Sequence, residues 1–119
     1  MEFLRTGIIV KTEHYNKCFD FYHDIIGLKL IEEQSEHSFK LAHFEFGSSY
    51  LMVETGGRAY QSGKSVDMNP SVIRFDVADI EKVKLALKMH RVDINYYEYE
   101  WGKLVIVFDP DGNQVEFKE

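Results

Sequence analysis

Two glutamates, Glu54 and Glu116, lie in runs of alternating character. Met52 with Glu54, and Glu116 with Lys118, therefore each share one side of an extended chain. If those sides line one cavity, the carboxylates form a pair of which one can serve as general base. A carboxylate withdrawn from water needs a cation or hydrogen-bond donors beside it. The same pair therefore also reads as a structural remnant neutralised by a basic residue. Arg5 is the candidate for that role; on a face shared with Gly7 and Ile9, it reads equally well as an anchor for an anionic ligand group. Arg74 and Asp76, two apart, either satisfy each other or bind substrate. Residues 95–101 put Tyr97, Tyr99 and Trp101 on one face of a strand, with Tyr96, Glu98 and Glu100 on the other. The aromatic stripe suits a pocket for a planar or cationic ligand, or packing against a helix or a second copy.

Other reactive side chains offer less. The five histidines show no metal-ligand spacing: His14, His23 and His90 fall in helical stretches, His37 in a turn and His43 inside a strand, where it reads as a hydrogen-bonded core residue. Cys18 sits on an apolar helical stripe as a small buried hydrophobe and, being the one cysteine, cannot form an internal disulfide. Glycines 56, 57 and 63 precede no helix and so form no nucleotide-binding fingerprint.

The elements that must hold these residues follow from periodicity. A strand is expected over 4–10, then a helix over 12–26 capped by Thr12 and ended by Gly27, with Tyr15, Cys18, Phe19, Tyr22 and Ile26 as its apolar stripe. Strands follow over 28–33, 39–46 and 50–55. Residues 56–70 have neither periodicity and read as a connecting loop. The pattern then restarts: a strand over 72–77, a helix over 79–90 capped by Asp79, and strands over 93–100, 103–108 and 114–118. The halves form an internal repeat. Thr12 and Asp79 lie 67 apart, an offset that also pairs Ile8 with Phe75, Val10 with Val77, Cys18 with Leu85 and Tyr22 with Met89, and the offset is expected to shrink to 62 in the last strands.

Length and composition bound the possibilities. A chain of 119 residues suffices for one domain, divided here as a first module over 1–55, the loop, and a second module over 71–119. Nothing near Met1 reads as a signal peptide, and no apolar run approaches the roughly 20 residues of a membrane span, so a cytoplasmic protein without membrane contact is expected. The formal charge of −6, with scattered basic residues, argues against nucleic acid. An acidic surface mostly serves solubility and secondarily favours cationic ligands.

The duplicated order of elements, the helix-closing FYHDIIGLKLI and the terminal DPDGNQVEFKE together resemble the vicinal oxygen chelate superfamily of glyoxalase, bleomycin-resistance and extradiol-dioxygenase proteins. The resemblance covers almost the whole chain. It implies an α+β fold in which two βαβββ modules form a concave sheet cup with helices outside, commonly as a homodimer. Family members commonly hold a divalent metal with one residue from the first and one from the last strand of each module. Carried over, those positions are Arg5 and Glu54, then Val72 and Glu116. Two carboxylates remain. A guanidinium donates no lone pair, and one placed about 4 Å from a divalent ion costs roughly 8 kcal/mol at an effective dielectric near 20. Side-chain retreat halves that to ~4 kcal/mol, nearly a thousandfold in affinity. No cofactor is therefore expected. The resemblance implies a small-molecule-binding protein, with Glu54 and Glu116 as candidate catalytic groups and Arg5, Arg74, Asp76, Met52, Tyr97, Tyr99 and Trp101 as candidate ligand contacts. The alternative is a metal-dependent lyase, isomerase or dioxygenase, similar to lactoylglutathione lyase, using Glu54 and Glu116 as its remaining metal ligands. Arg5 is expected within salt-bridge reach of one or both glutamates.

Overall fold

A computed structural model describes all residues from Met1 to Glu119. The chain divides into two compact units, Met1–Ala59 and Tyr60–Glu119. Each is a mixed four-stranded sheet with one helical segment.

In the first unit the elements run β1 (Gly7–Thr12), α1 (Tyr15–Asp20), β2 (Leu30–Glu36), β3 (Phe39–Phe46) and β4 (Ser49–Thr55). The sheet order is β1-β4-β3-β2, with β1 parallel to β4 and the other pairs antiparallel. Alternation decides the faces. Val10, Thr12, Ala42, Phe44, Leu51 and Val53 are buried toward the side on which α1 lies, together with Tyr15, Cys18, Phe21 and Tyr22. Gly7, Ile9, Lys11, Leu41, His43, Tyr50, Met52 and Glu54 take the opposite, open face.

The helix differs from its expected form. It begins at Tyr15 behind His14, and Thr12 is the last residue of β1, its hydroxyl accepting from the His14 N–H at 2.9 Å. After Asp20 the turns widen to a π-helical stretch, Phe21–Ile25, and Gly27 ends it at φ +87°, a conformation open to glycine.

The second unit repeats the order: β5 (Ile73–Asp76), α2 (Ile80–Met89), β6 (Asn95–Tyr99), β7 (Gly102–Phe108) and β8 (Gln114–Lys118), arranged β5-β8-β7-β6. Here the cap is as expected, the Asp79 carboxylate accepting from the Glu81 and Lys82 N–H groups. Ile80 and Leu87 bury against β7 and β8 over Val105, Val107, Val115 and Phe117. Leu85 and Met89 are exposed, whereas Cys18 and Tyr22, their expected repeat mates, are fully buried. The offset therefore fails at the helices, which begin 65 residues apart at Tyr15 and Ile80, both of them buried.

Residues 56–70 are not one free connection. The Gly56 and Gly57 N–H groups bond the Thr12 carbonyl, and the Ala59 N–H bonds Glu13. Tyr60 and Lys64 bond the backbone of Asp111 and Gly112, and Lys64 and Asn69 donate to the Asn113 side chain. No helix is long and apolar enough to cross a membrane.

Candidate functional site

The parallel pairs β1–β4 and β5–β8 bring first and last strands of each module together. In module one the row at Gly7 faces Tyr50, and the row at Lys11 faces Glu54. In module two Arg74 faces Glu116. Gly7 and Arg74 stand 67 residues apart, and Tyr50 and Glu116 stand 66 apart. Glu116 therefore corresponds to Tyr50, and the expected pairing of Glu116 with Glu54 is corrected. The offset does shrink, to 61 between Glu45 and Ile106, but the longer turn Asp109–Asn113 restores those residues before β8 begins. Glu54 lies four residues further along the strand, about 13 Å away at ~3.3 Å per residue. An even displacement keeps it on the same face, so alternation alone could not expose the error.

Each glutamate has its own cation. Glu54, 8% exposed, accepts from Lys11 Nζ at 2.5 Å. Glu116, also 8% exposed, accepts from Arg74 Nε at 2.5 Å, with Gln114 Nε2 at 3.4 Å from its second oxygen. Arg74 thus serves Glu116 and not Asp76. Arg5 is not the partner that was expected: its guanidinium carbon lies 4.5 Å from the centre of the Tyr50 ring, and it makes no ion pair.

Tyr50 lies flat because Gly7 opposite it lacks a side chain; a Cβ there would overlap the ring. His43, next along the open face, meets Tyr50 edge-on at 5.1 Å and 83°. Its Nε2 is buried without a hydrogen-bond partner, so it is not the satisfied core histidine expected. Tyr50, Gly7 and Lys11 were absent from the candidates. The usable signal was Gly7, two residues beyond Arg5 on the same face.

On the open face of module two, Tyr97 and Tyr99 stack at 6.1 Å and Tyr99 and Trp101 at 4.8 Å, nearly parallel. Lys118 Nζ lies 5.8 Å over Trp101. The ladder does not pack on α2; that side is taken by Tyr96, under Lys84. An open hollow of about 380 Å³ adjoins it, lined by Glu98, Tyr99, Glu100, Trp101 and Lys103.

The implied metal positions, with Tyr50 holding the row equivalent to Glu116, are Arg5 and Tyr50 in module one and Val72 and Glu116 in module two; Arg5 and Val72 lie just before β1 and β5, outside the strands in which they were expected. These positions offer one carboxylate, already bonded to Arg74, a valine, a phenol and a guanidinium, and no three His, Cys, Asp or Glu side chains cluster to hold an ion. Neither module's pair, taken by itself, fits a resident divalent metal.

Two mixed sheets of order first-fourth-third-second, each opposed by one helix, define a glyoxalase-like α+β protein. The glyoxalase/bleomycin resistance protein/dioxygenase superfamily model matches residues 6–117, and the chain belongs to that superfamily. Among solved structures it is similar to a glyoxalase family protein from Enterococcus faecalis (19% identity, 99% of this chain and 97% of that one, TM-score 0.70). It is also similar to lactoylglutathione lyase from Agrobacterium tumefaciens (18%, 96% and 91%, TM-score 0.74). The fosfomycin resistance protein FosX from Listeria monocytogenes, complexed with Mn(II) and sulfate, shares the fold as well (15%, 99% and 93%, TM-score 0.77). At these identities the likeness is one of fold. No curated protein matches the sequence.

Proposed function

We propose that this chain binds a small metabolite on the open faces of its sheets, and acts on it, if at all, without a resident metal. The observation that carries the reading is the donor set: where relatives with a metal would place ligands, this chain has a guanidinium on a tyrosine ring, a valine, and a glutamate bonded to Arg74. The stacked Tyr97, Tyr99 and Trp101 supply apolar contact area for a ligand body. Glu54 and Glu116 serve mainly to hold Lys11 and Arg74 in place, since each is already hydrogen-bonded to a cation. We further propose a cytoplasmic homodimer, which light scattering at micromolar concentration checks by mass.

The test is metal analysis of protein purified without chelator, beside a thermal-shift screen of divalent metals and small metabolites. No stoichiometric metal is expected, and stabilisation is expected from a metabolite alone. A ligand at a hundred times its Kd contributes about 2.7 kcal/mol, well within such a screen. One equivalent of tightly held metal would overturn this reading and favour the metal-dependent lyase or dioxygenase.

A further inference from the structure

We infer that module one carries an oxyanion site, in which Arg5, laid on Tyr50, takes the carboxylate or phosphate group of the metabolite. The inference rests on the metal-free reading above and names the ligand's chemistry.

Three features fix the arginine. Gly7 leaves space for the Tyr50 ring to lie across β1. His43 braces that ring at a right angle from β3. Arg5, two residues before Gly7, then rests at 4.5 Å from the ring centre. A guanidinium on an aromatic face keeps its N–H edge outward, and that planar fork matches the two oxygens of a carboxylate or phosphate. None of the Arg5 donors is committed to a side chain of the protein, although acidic residues outnumber basic ones, 20 against 14. The contrast lies with Lys11 and Arg74 on the open faces, each claimed by a glutamate at 2.5 Å. The acid excess thus neutralises those cations and leaves Arg5 for something that is not part of its own sheet. His43 adds a second polar group without a partner, its Nε2 being buried and unbonded beside Tyr50.

The test uses probes of one shape and opposite charge: benzoate and phenylphosphonate against benzylamine, titrated calorimetrically into the full chain. Wild type is expected to bind at least one of the two anions and to bind benzylamine at least tenfold more weakly. Arg5→Gln is expected to weaken the anion at least tenfold. Arg5→Lys recovers only part, because an ammonium cannot present the fork. Tyr50→Leu loses several-fold by freeing the arginine, while Lys82→Gln, on the exposed side of α2, leaves affinity unchanged. Circular dichroism of each variant guards against misfolding. The inference is overturned if neither anion binds wild type, or if Arg5→Gln binds it as well as wild type does. Metal content is scored separately: a stoichiometric metal sinks the metal-free reading, whereas a metal-free protein that binds benzylamine and no anion sinks only this one.

Discussion

Modules one and two use the same strand order and the same parallel join between first and last strands, yet they fill that join differently. In module two the row holds Arg74 against Glu116, an ion pair whose carboxylate is almost out of water. In module one the equivalent row holds Gly7 against Tyr50, and the cation, Arg5, comes from two residues earlier and meets a ring instead of a carboxylate. That row is closed on itself in module two and leaves donors to spare in module one, whose own ion pair sits four residues further along, at Lys11 and Glu54. The two modules therefore share the buried rows that pack beneath their helices and differ on the open face, where no helix covers the side chains.

The buried rows carry the largest expected effects. Leu51 and Phe117 hold equivalent rows, facing Ile8 and Phe75, and both are buried. Leu51→Ala should cost about 3 kcal/mol and Phe117→Ala about 4 kcal/mol in urea unfolding, from lost transfer energy plus the cavity left behind. A cost under about 1 kcal/mol at either site would mean that the rows are not equivalent in packing.

The open faces predict an asymmetry. Arg74→Met strands a nearly buried Glu116 with only the long Gln114 contact, and should cost about 2 kcal/mol, reduced from the fully buried case because Arg74 is itself half exposed. Arg5→Met removes a cation–π contact at the surface and should cost below about 1 kcal/mol. Equal costs would erase the distinction between the two joins. Gly7→Ala, which drives a methyl into the Tyr50 ring, should cost about 1 kcal/mol. It should also shift the His43 ring protons in NMR spectra, because the ring current they sit against moves.

Much of this was legible in the residues. Alternation located every strand to within a few residues, and Asp79 announced its helix because its carboxylate can accept two N–H groups at once. Thr12 carries the same chemistry and misled, because its side chain is buried at the end of β1, where it satisfies His14 and starts no helix. The faces of Glu54 and Glu116 could be read, but not their rows: a row depends on turn length, and the residues lost between β6 and β7 are regained at Asp109–Asn113. Arg5 was placed on the right face with the wrong partner. Nothing local marks a tyrosine 45 residues away as the surface it will rest on, and Lys11 and Arg74 compete for the glutamates from positions directly opposite them.

The smallest effect concerns two tyrosines that make the same bond in the two modules. Tyr15 donates to Glu33 at 2.9 Å, and Tyr96 donates to Glu98 at 2.8 Å. Both phenols hold their protons beyond the ordinary value near 10, chiefly because desolvation disfavours the phenolate, and further because each donates to a carboxylate. Tyr96 is pushed up to about 12 and Tyr15 higher still. The unfolded chain releases these protons near pH 10 while the folded chain keeps them, so above pH 10 the unfolded state binds fewer protons and stability falls as pH rises. The loss from Tyr96 runs between about pH 10 and 12, and that from Tyr15 continues beyond. Tyr96→Phe should flatten the first part of the fall, and Tyr15→Phe should flatten it across the whole accessible range. Phenolate absorbance near 295 nm separates the two: Tyr96→Phe should remove an ionisation centred near pH 12, and Tyr15→Phe one that comes later still. If both phenols titrated at the free-phenol value, neither glutamate would be holding its tyrosine.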